Sequence, residues 1–167
     1  MYVHRKHTTC LSLLFKINGK HIPGPIIDFA VLMFHNAENL ASAESGPFFY
    51  LSKLENSSEA KLWNKIFTWS QERLNVPYGT IKACVLIENI LASFETEEIL
   101  YELRDHSLGL NCGIWDYAAS IVSVFGNYRF DRKACYLCKF VLPQIFILTS
   151  VINKTMSLFP LRGGNQI

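Results

Sequence analysis

The chain has 167 residues, 50% hydrophobic and 18% charged, so it can bury the core of one modest domain. A formal net charge of +2 gives no indication of a nucleic-acid or membrane partner. The 5 cysteines are an odd number and do not indicate a secreted disulfide scaffold, and the apolar run at 11–15 is too short for a signal peptide.

The first predicted element is a helix over residues 26–41, where apolar residues recur with helical periodicity. Pro25 and Asp28 suit its first turn, where a missing N–H and a negative charge are both favourable. The periodicity predicts one broad apolar face, made of Ile26, Phe29, Ala30, Met33, Phe34 and Ala37.

A strand and a second helix follow. Residues 48–51 form a short aromatic and apolar run after Gly46-Pro47, which predicts a buried strand. A helix is predicted over 59–74, with Ser57 or Ser58 as its N-cap. One side of this helix carries Leu62, Ile66, Trp69 and Arg73, and beside them lie Trp63 and Phe67.

The second half of the chain alternates between strand and helix patterns. Residues 80–87 are β-branched in part and largely apolar, as in a strand buried on both faces. A helix over 96–105, a strand over 108–112 and a helix over 116–124 come next, and the inward residues of the first of these helices are Ile99, Leu100 and Leu103. This alternation predicts parallel βα units and therefore an α/β fold.

One long motif stands out in the second half. Residues 104–117 read Arg-Asp-His-Ser-Leu-Gly-Leu-Asn-Cys-Gly-Ile-Trp-Asp-Tyr. This run resembles the signature of the malate synthase family: a basic residue, Asp-His, two free positions, Gly-Leu-Asn, a free position, Gly, a free position and Trp-Asp-Tyr. Four upstream blocks carry the same resemblance, at 24–29, 34–37, 46–55 and 79–88, and of these the last two are the more specific.

The resemblance implies an α/β fold in which the chain forms part of a TIM (β/α)8 barrel. It divides the chain into an unmatched segment at 1–16, a malate synthase-like partial barrel at 17–131 and a divergent segment at 132–167. Family enzymes are several times longer, so the chain is interpreted as a fragment, a truncated gene model or a shortened relative. No oligomeric state follows from the sequence.

Two carboxylates are the candidate metal ligands. Glu88 and Asp116 follow successive predicted strands, and carboxylates at such strand ends can hold one hard cation. Each residue also has a simpler interpretation, because Glu88 can be a surface carboxylate at a strand end and Asp116 can be a helix N-cap. The two roles of Asp116 are compatible, since its two oxygens can face different partners. The family resemblance implies that both residues bind Mg2+, which polarises the aldehyde of glyoxylate.

The resemblance also implies substrate binding by Gly113, Ile114, Trp115 and Asp116, whose backbone would approach glyoxylate. Gly113 suits a close approach because it has no Cβ, although a tight turn would also explain it. Trp115 has a second explanation too, as an aromatic residue packed at the barrel rim. Family members usually have Arg at the position that Ile114 occupies here.

The implied reaction joins acetyl-CoA and glyoxylate, with water, to give malate and CoA in the glyoxylate cycle. It needs a general base and a cation that stabilises an enolate. In the family these are an Asp beyond the matched region and an Arg in an Arg-Gly-Trp block upstream, and neither is found here; Arg5 lacks that context. The alternative function is therefore that of a catalytically inactive relative that acts as a binding or interaction protein.

Three smaller predictions remain. His106 is expected to make a structural hydrogen bond rather than to act as a general base. Cys135 and Cys138 have the spacing of a zinc or redox motif but lack a second pair, so no site is expected there. Many eukaryotic family members are peroxisomal, whereas residues 163–167 do not form a Ser-Lys-Leu-type signal, and a cytoplasmic location therefore stays open.

Overall fold

The computed structural model of the chain describes residues 2–3, 16–43 and 45–125. The strands are β1 (Tyr2–Val3), β2 (Lys16–Ile17), β3 (Lys20–His21), β4 (Phe48–Leu51), β5 (Lys82–Ile87) and β6 (Ser107–Cys112). The helices are α1 (Gly24–Ser42), α2 (Ser57–Arg73), α3 (Thr96–Glu102) and α4 (Ile114–Phe125), and a 3-10 turn covers Ala92–Phe94.

Four strands form one parallel sheet in the order β1-β4-β5-β6. The pairing of β4 with β5 runs from Phe48↔Lys82 to Leu51↔Val85, and that of β5 with β6 ends at Ile87↔Cys112. Because these strands are parallel, the carboxyl ends of β4, β5 and β6 lie at one edge of the sheet. The predicted α/β class is confirmed, and within the described ranges the sheet is open, as part of a barrel would be.

Three short strands were not predicted from the sequence. Strand β1 pairs with β4 in the register Tyr2↔Tyr50. Strands β2 and β3 form an antiparallel hairpin whose turn residues, Asn18 and Gly19, have φ values of 50° and 77°. Asn-Gly is the usual sequence for a hairpin turn with two positive φ angles, so this signal was present.

Helix α1 is in contact with the core through a narrower face than predicted. Its buried residues, Phe29, Met33 and Ala37, are spaced four apart. Ala30 and Phe34, which the periodicity placed on the same face, are exposed, so that part of the prediction is wrong. Residues spaced four apart form a narrow stripe along a helix, which can pack against one neighbouring surface. Burial of the broader predicted face would need a second element packed beside the first. Proline does occur in the first turn, but no acidic residue does.

Helix α2 buries Phe67, one of the apolar residues singled out in the sequence, but leaves others of that group exposed. Asn56, rather than either serine, caps it, because its Oδ1 accepts a hydrogen bond of 3.0 Å from Glu59 N. Leu62 and Trp69 are 57% and 60% exposed. The buried side consists of Ala60, Phe67, Ser70 and Gln71, and hydropathy alone misses it because two of these residues are polar.

An aromatic cluster joins α1 and α2 to the sheet. The ring centroid of Phe29 lies 5.1 Å from that of Phe49 and 5.5 Å from that of Phe67, and Trp63 completes the cluster. Among the helices in the described ranges, none is both long and apolar enough to cross a membrane. The Cys135/Cys138 pair lies outside the described residues.

His106 is fully buried at the amino-terminal end of the sheet. Its Nδ1 donates a hydrogen bond of 2.8 Å to the carbonyl oxygen of Ile81, while Gln71 Oε1 accepts one of 3.1 Å from Ile81 N. The ring also packs against those of Phe67 and Tyr78. The predicted structural role is confirmed. Ile81 and Glu88 flank β5 at opposite ends, roughly 20 Å apart for a strand of this length.

Burial of His106 predicts a pH dependence of stability. Burial lowers the pKa of this imidazole below its ordinary value of 6.5, although the hydrogen bond to Ile81 opposes the shift. Since the unfolded chain then binds the proton more readily than the folded chain, stability should fall as pH drops below about 6.5, by at most ~1.4 kcal/mol per pH unit. His106→Gln should reduce this slope in urea denaturation series, even if it lowers stability at every pH. An unchanged slope would show that His106 is not the responsible group.

Candidate metal and substrate site

Three neighbouring strand ends meet at the carboxyl edge of the sheet. Lys53 lies two residues after the end of β4, Glu88 directly follows β5, and Gly113 directly follows β6. The registers Leu51↔Val85 and Ile87↔Cys112 place these residues almost level with one another. We refer to Lys53, Glu88 and Gly113, together with Asp116 on α4, as the strand-end site.

Glu88 is the most buried charged group of this site, with 9% of its surface exposed. Its Oε2 is buried and forms an ion pair of 3.4 Å with Lys53 Nζ. A buried carboxylate is costly unless a cation compensates its charge. This oxygen is therefore suited to a cation.

The loop after β5 is tied to α4, which fixes the backbone next to Glu88. Ile90 N donates a hydrogen bond of 2.9 Å to Ser120 Oγ. Ser93 Oγ donates one of 2.6 Å to Ile90 O, and the hydroxyl of Tyr117 lies 3.4 Å from Ser93 Oγ. These contacts join the loop after β5 to α4, the helix that carries Asp116.

Gly113 provides the space that the Glu88 side chain occupies. A Cβ at Gly113 would overlap Glu88 Cγ and would lie 3.0 Å from Glu88 Oε1. Gly113 N donates a hydrogen bond of 3.1 Å to Ile87 O, and Gly113 O accepts one of 2.9 Å from Tyr117 N. Gly113 thus connects the sheet to the first turn of α4. The group that closely approaches its backbone is the Glu88 side chain.

Helix α4 begins at Ile114, so Asp116 lies in its first turn. The predicted N-cap role of Asp116 is wrong, since a cap precedes the first helical residue. Asp116 is half-exposed and pairs with the Lys53 ammonium. Trp115 is 78% exposed, so it does not pack against the described residues as the rim interpretation required.

Lys53 was not identified as a site residue from the sequence. Its ammonium lies against carboxylate oxygens of both Glu88 and Asp116. Burial alone would lower its pKa, but the hydrogen bond to Asp116 and the negative charges of Glu88 and Asp116 outweigh that effect and raise the pKa above its usual value of 10.5. The available signal was its position just beyond a strand that ends at the same edge as β5.

The donor set of the strand-end site fits a hard divalent cation. Oxygen atoms of Glu88 and Asp116 are near enough to share one nitrogen atom, so one cation can be in contact with both. No cluster of three or more His, Cys, Asp or Glu side chains with metal-binding geometry occurs in the part of the chain that the structure describes. Mg2+ commonly uses only one or two carboxylates and completes its shell with water and substrate oxygens, so two ligands are sufficient.

Known proteins match the part of the chain that contains the strand-end site. The family model described as malate synthase, TIM barrel domain, matches residues 6–136. The chain is 55% identical over 112 residues to malate synthase from Dictyostelium discoideum, which covers 67% of this chain and 21% of that protein. It is 44% identical over 128 residues to malate synthase A from Escherichia coli (strain K12), which covers 77% of this chain and 23% of that protein.

A plant relative shows the same partial coverage. The chain is 49% identical over 112 residues to the glyoxysomal malate synthase of Cucurbita maxima, which covers 65% of this chain and 20% of that protein. The chain therefore spans about a fifth of the length of these relatives. The matched range includes every residue of the strand-end site. With its parallel α/β architecture, the chain belongs to the malate synthase family and forms part of the TIM barrel domain of that family.

Proposed function

We propose that this chain supplies the metal and glyoxylate part of a malate synthase active site, in a protein that condenses acetyl-CoA with glyoxylate to give malate and CoA. One observation carries the proposal: the carboxylates of Glu88, directly after β5, and of Asp116, in the first turn of α4, both contact the Lys53 ammonium, so one cation can contact both. The names of the relatives support the reaction class.

Glu88 and Asp116 are the proposed Mg2+ ligands. Bound there, Mg2+ would act as a Lewis acid toward the aldehyde of glyoxylate. Glu88 contributes a carboxylate whose position is set by β5 and by the space over Gly113. Asp116 contributes a more exposed carboxylate from the first turn of α4.

The amino-terminal turn of α4 is the proposed contact for the glyoxylate carboxylate. The first N–H groups of a helix have no intrahelical partner, and together with the helix dipole they favour an anion. Ile114 and Trp115 supply these N–H groups, since Gly113 N already donates to Ile87 O, and both of their side chains are exposed. Ile114 brings no charge, so in this chain the backbone has to provide recognition that an Arg side chain would otherwise share.

The location of the protein belongs to the same proposal. Relatives from Cucurbita maxima and Candida tropicalis are both named glyoxysomal malate synthase. These names support a glyoxysomal, and hence peroxisomal, location, with the cytoplasm as the alternative. A fluorescent fusion of the complete protein, viewed beside a peroxisomal marker, would distinguish the two compartments.

The proposal is tested by calorimetric titration of the purified chain with Mg2+, followed by glyoxylate. We expect Glu88→Gln and Asp116→Asn to weaken Mg2+ binding by about tenfold or more, because each removes a charged ligand. Glu72→Gln is the matched control: it makes the same change at an exposed position near the end of α2 and should leave binding unchanged.

Two results would contradict the proposal. A folded chain that does not bind Mg2+ would support the alternative function of a non-catalytic relative. Equal Mg2+ affinities for the wild type and for both carboxylate variants would place the metal elsewhere. Circular dichroism spectra of each variant separate loss of binding from loss of folding.

A further inference from the structure

The strand-end site contains its own cation. Lys53 Nζ lies 3.4 Å from Glu88 Oε2 and also pairs with Asp116 Oδ1. The ammonium is therefore placed where a divalent ion bound to the same two carboxylates would lie. Two cations cannot occupy that place together, because their repulsion at a few Å is large in a partly buried site.

The backbone at Lys53 is held in an uncommon conformation. Its φ is 59°, in the left-handed region that residues with a Cβ rarely adopt. Both neighbours are buried: Ser52 is 7% exposed and Leu54 is 2% exposed. Packing on either side therefore maintains the turn that brings this lysine beside Glu88. Such backbone outliers occur disproportionately at functional sites.

Lysine has the properties that a movable counter-ion requires. Its charge is carried on a flexible four-carbon stem with three freely rotating donors, so it can change partners without a change in the backbone. The Lys53 side chain is partly exposed. A glyoxylate bound to a divalent ion at this site would bring one further negative charge, and the displaced ammonium would neutralise it.

We propose that Lys53 is the resident counter-cation of Glu88 and Asp116, that a divalent ion displaces it, and that its ammonium then pairs with the carboxylate of the incoming 2-oxo acid. This inference rests on the proposed function, because it assumes that the two carboxylates bind the metal. It makes Lys53 a substrate-positioning residue that competes with the metal and assists the anion.

The two roles of Lys53 predict opposite changes in affinity, one for Mg2+ and one for glyoxylate, so a single substitution tests both. Removing the ammonium should strengthen Mg2+ binding by about fivefold, as expected for loss of a competing, partly exposed ion pair. The same change should weaken glyoxylate binding to the Mg2+-loaded chain by about fivefold, because the anion loses a partner. A residue with a purely structural role would lower both affinities.

The experiment is calorimetric titration of the full chain with Mg2+ alone, then of the Mg2+-loaded chain with glyoxylate. The variants are Lys53→Met and Lys53→Gly, and the second keeps the test valid if the first does not fold, because glycine adopts a positive φ without strain. Lys82→Met is the matched control, since Lys82 Nζ bonds to Asp105 O at the other end of β5. It should leave both affinities unchanged.

The outcomes separate this inference from the proposed function. Tighter Mg2+ binding with weaker glyoxylate binding in the Lys53 variants supports it. Unchanged or weaker Mg2+ binding in these variants, when the wild type binds Mg2+, overturns it and leaves the metal site standing. No Mg2+ binding by the wild type or by either Lys53 variant overturns both.

Discussion

Gly113→Ala should weaken Mg2+ binding by between about tenfold and a hundredfold, the effect expected when the support of a metal ligand is lost. A methyl group at this position would overlap Glu88 Cγ and would lie within 3.1 Å of Glu88 Cδ. The backbone of Gly113 is fixed by its bonds to Ile87 and Tyr117, so the Glu88 side chain has to move instead. The carboxylate then leaves the place where it faces Asp116.

Two comparisons test the cause of this effect. Gly24→Ala is the control, because nothing lies within 4 Å of a Cβ built there, and it should leave Mg2+ affinity unchanged. The double variant Gly113→Ala/Glu88→Gln should bind Mg2+ no more weakly than Glu88→Gln alone, since both changes act through one carboxylate. Calorimetry on the folded variants provides both measurements. Wild-type affinity in Gly113→Ala would show that the methyl group is accommodated without moving Glu88.

The order of strands and helices from α1 to α4 was predictable because it depends on local patterns. The strand at Lys82–Ile87 is a continuous apolar run, and the following turn residues end it whatever the rest of the chain does. The same logic predicted that Glu88 and the segment that carries Asp116 would lie at one edge, since parallel strands end together. That part of the candidate site follows from sequence order and strand direction alone.

The contacts between side chains of the strand-end site were harder to predict from the sequence. Lys53 reaches the carboxylates through a backbone turn at φ 59°, and no residue pattern predicts that turn for a lysine. The contact between Gly113 and Glu88 depends on the register of β5 against β6, which contains an irregularity between Ala83 and Cys84. Asp116 appeared to be a helix cap because the helix start was predicted two residues too late.

The buried faces of the helices also depend on tertiary packing. The periodicity grouped Leu62 and Trp69 on one side of α2 with Phe67 beside them, but the structure buries Phe67 and Gln71 and leaves Leu62 and Trp69 exposed. Gln71 is buried because its Oε1 bonds to Ile81 N at the start of β5. A polar residue whose partner lies in another element has no signature in the periodicity of its own helix.

Phe67→Ala should lower the free energy of unfolding by about 3–5 kcal/mol, from the lost burial of the ring and the cavity left behind. The side chain is 0% exposed, and its ring centroid lies 5.5 Å from that of Phe29 and 5.3 Å from that of His106. It therefore joins α2 to both α1 and the sheet. A loss of this size is comparable with the whole stability of a small domain.

Leu62→Ala is the matched control for this prediction, and it decides which face of α2 is buried. Both changes remove a large apolar side chain from the same helix, but Leu62 is 57% exposed, so its removal should cost less than about 0.5 kcal/mol. Urea denaturation midpoints measure both values, and an unchanged m-value shows that the same surface is exposed on unfolding. A cost for Leu62→Ala equal to that for Phe67→Ala would mean that α2 packs through the face that hydropathy suggested. Because Phe67 of α2 stacks on Phe49 of β4, the strand that leads to Lys53, such a result would also change the support of the strand-end site.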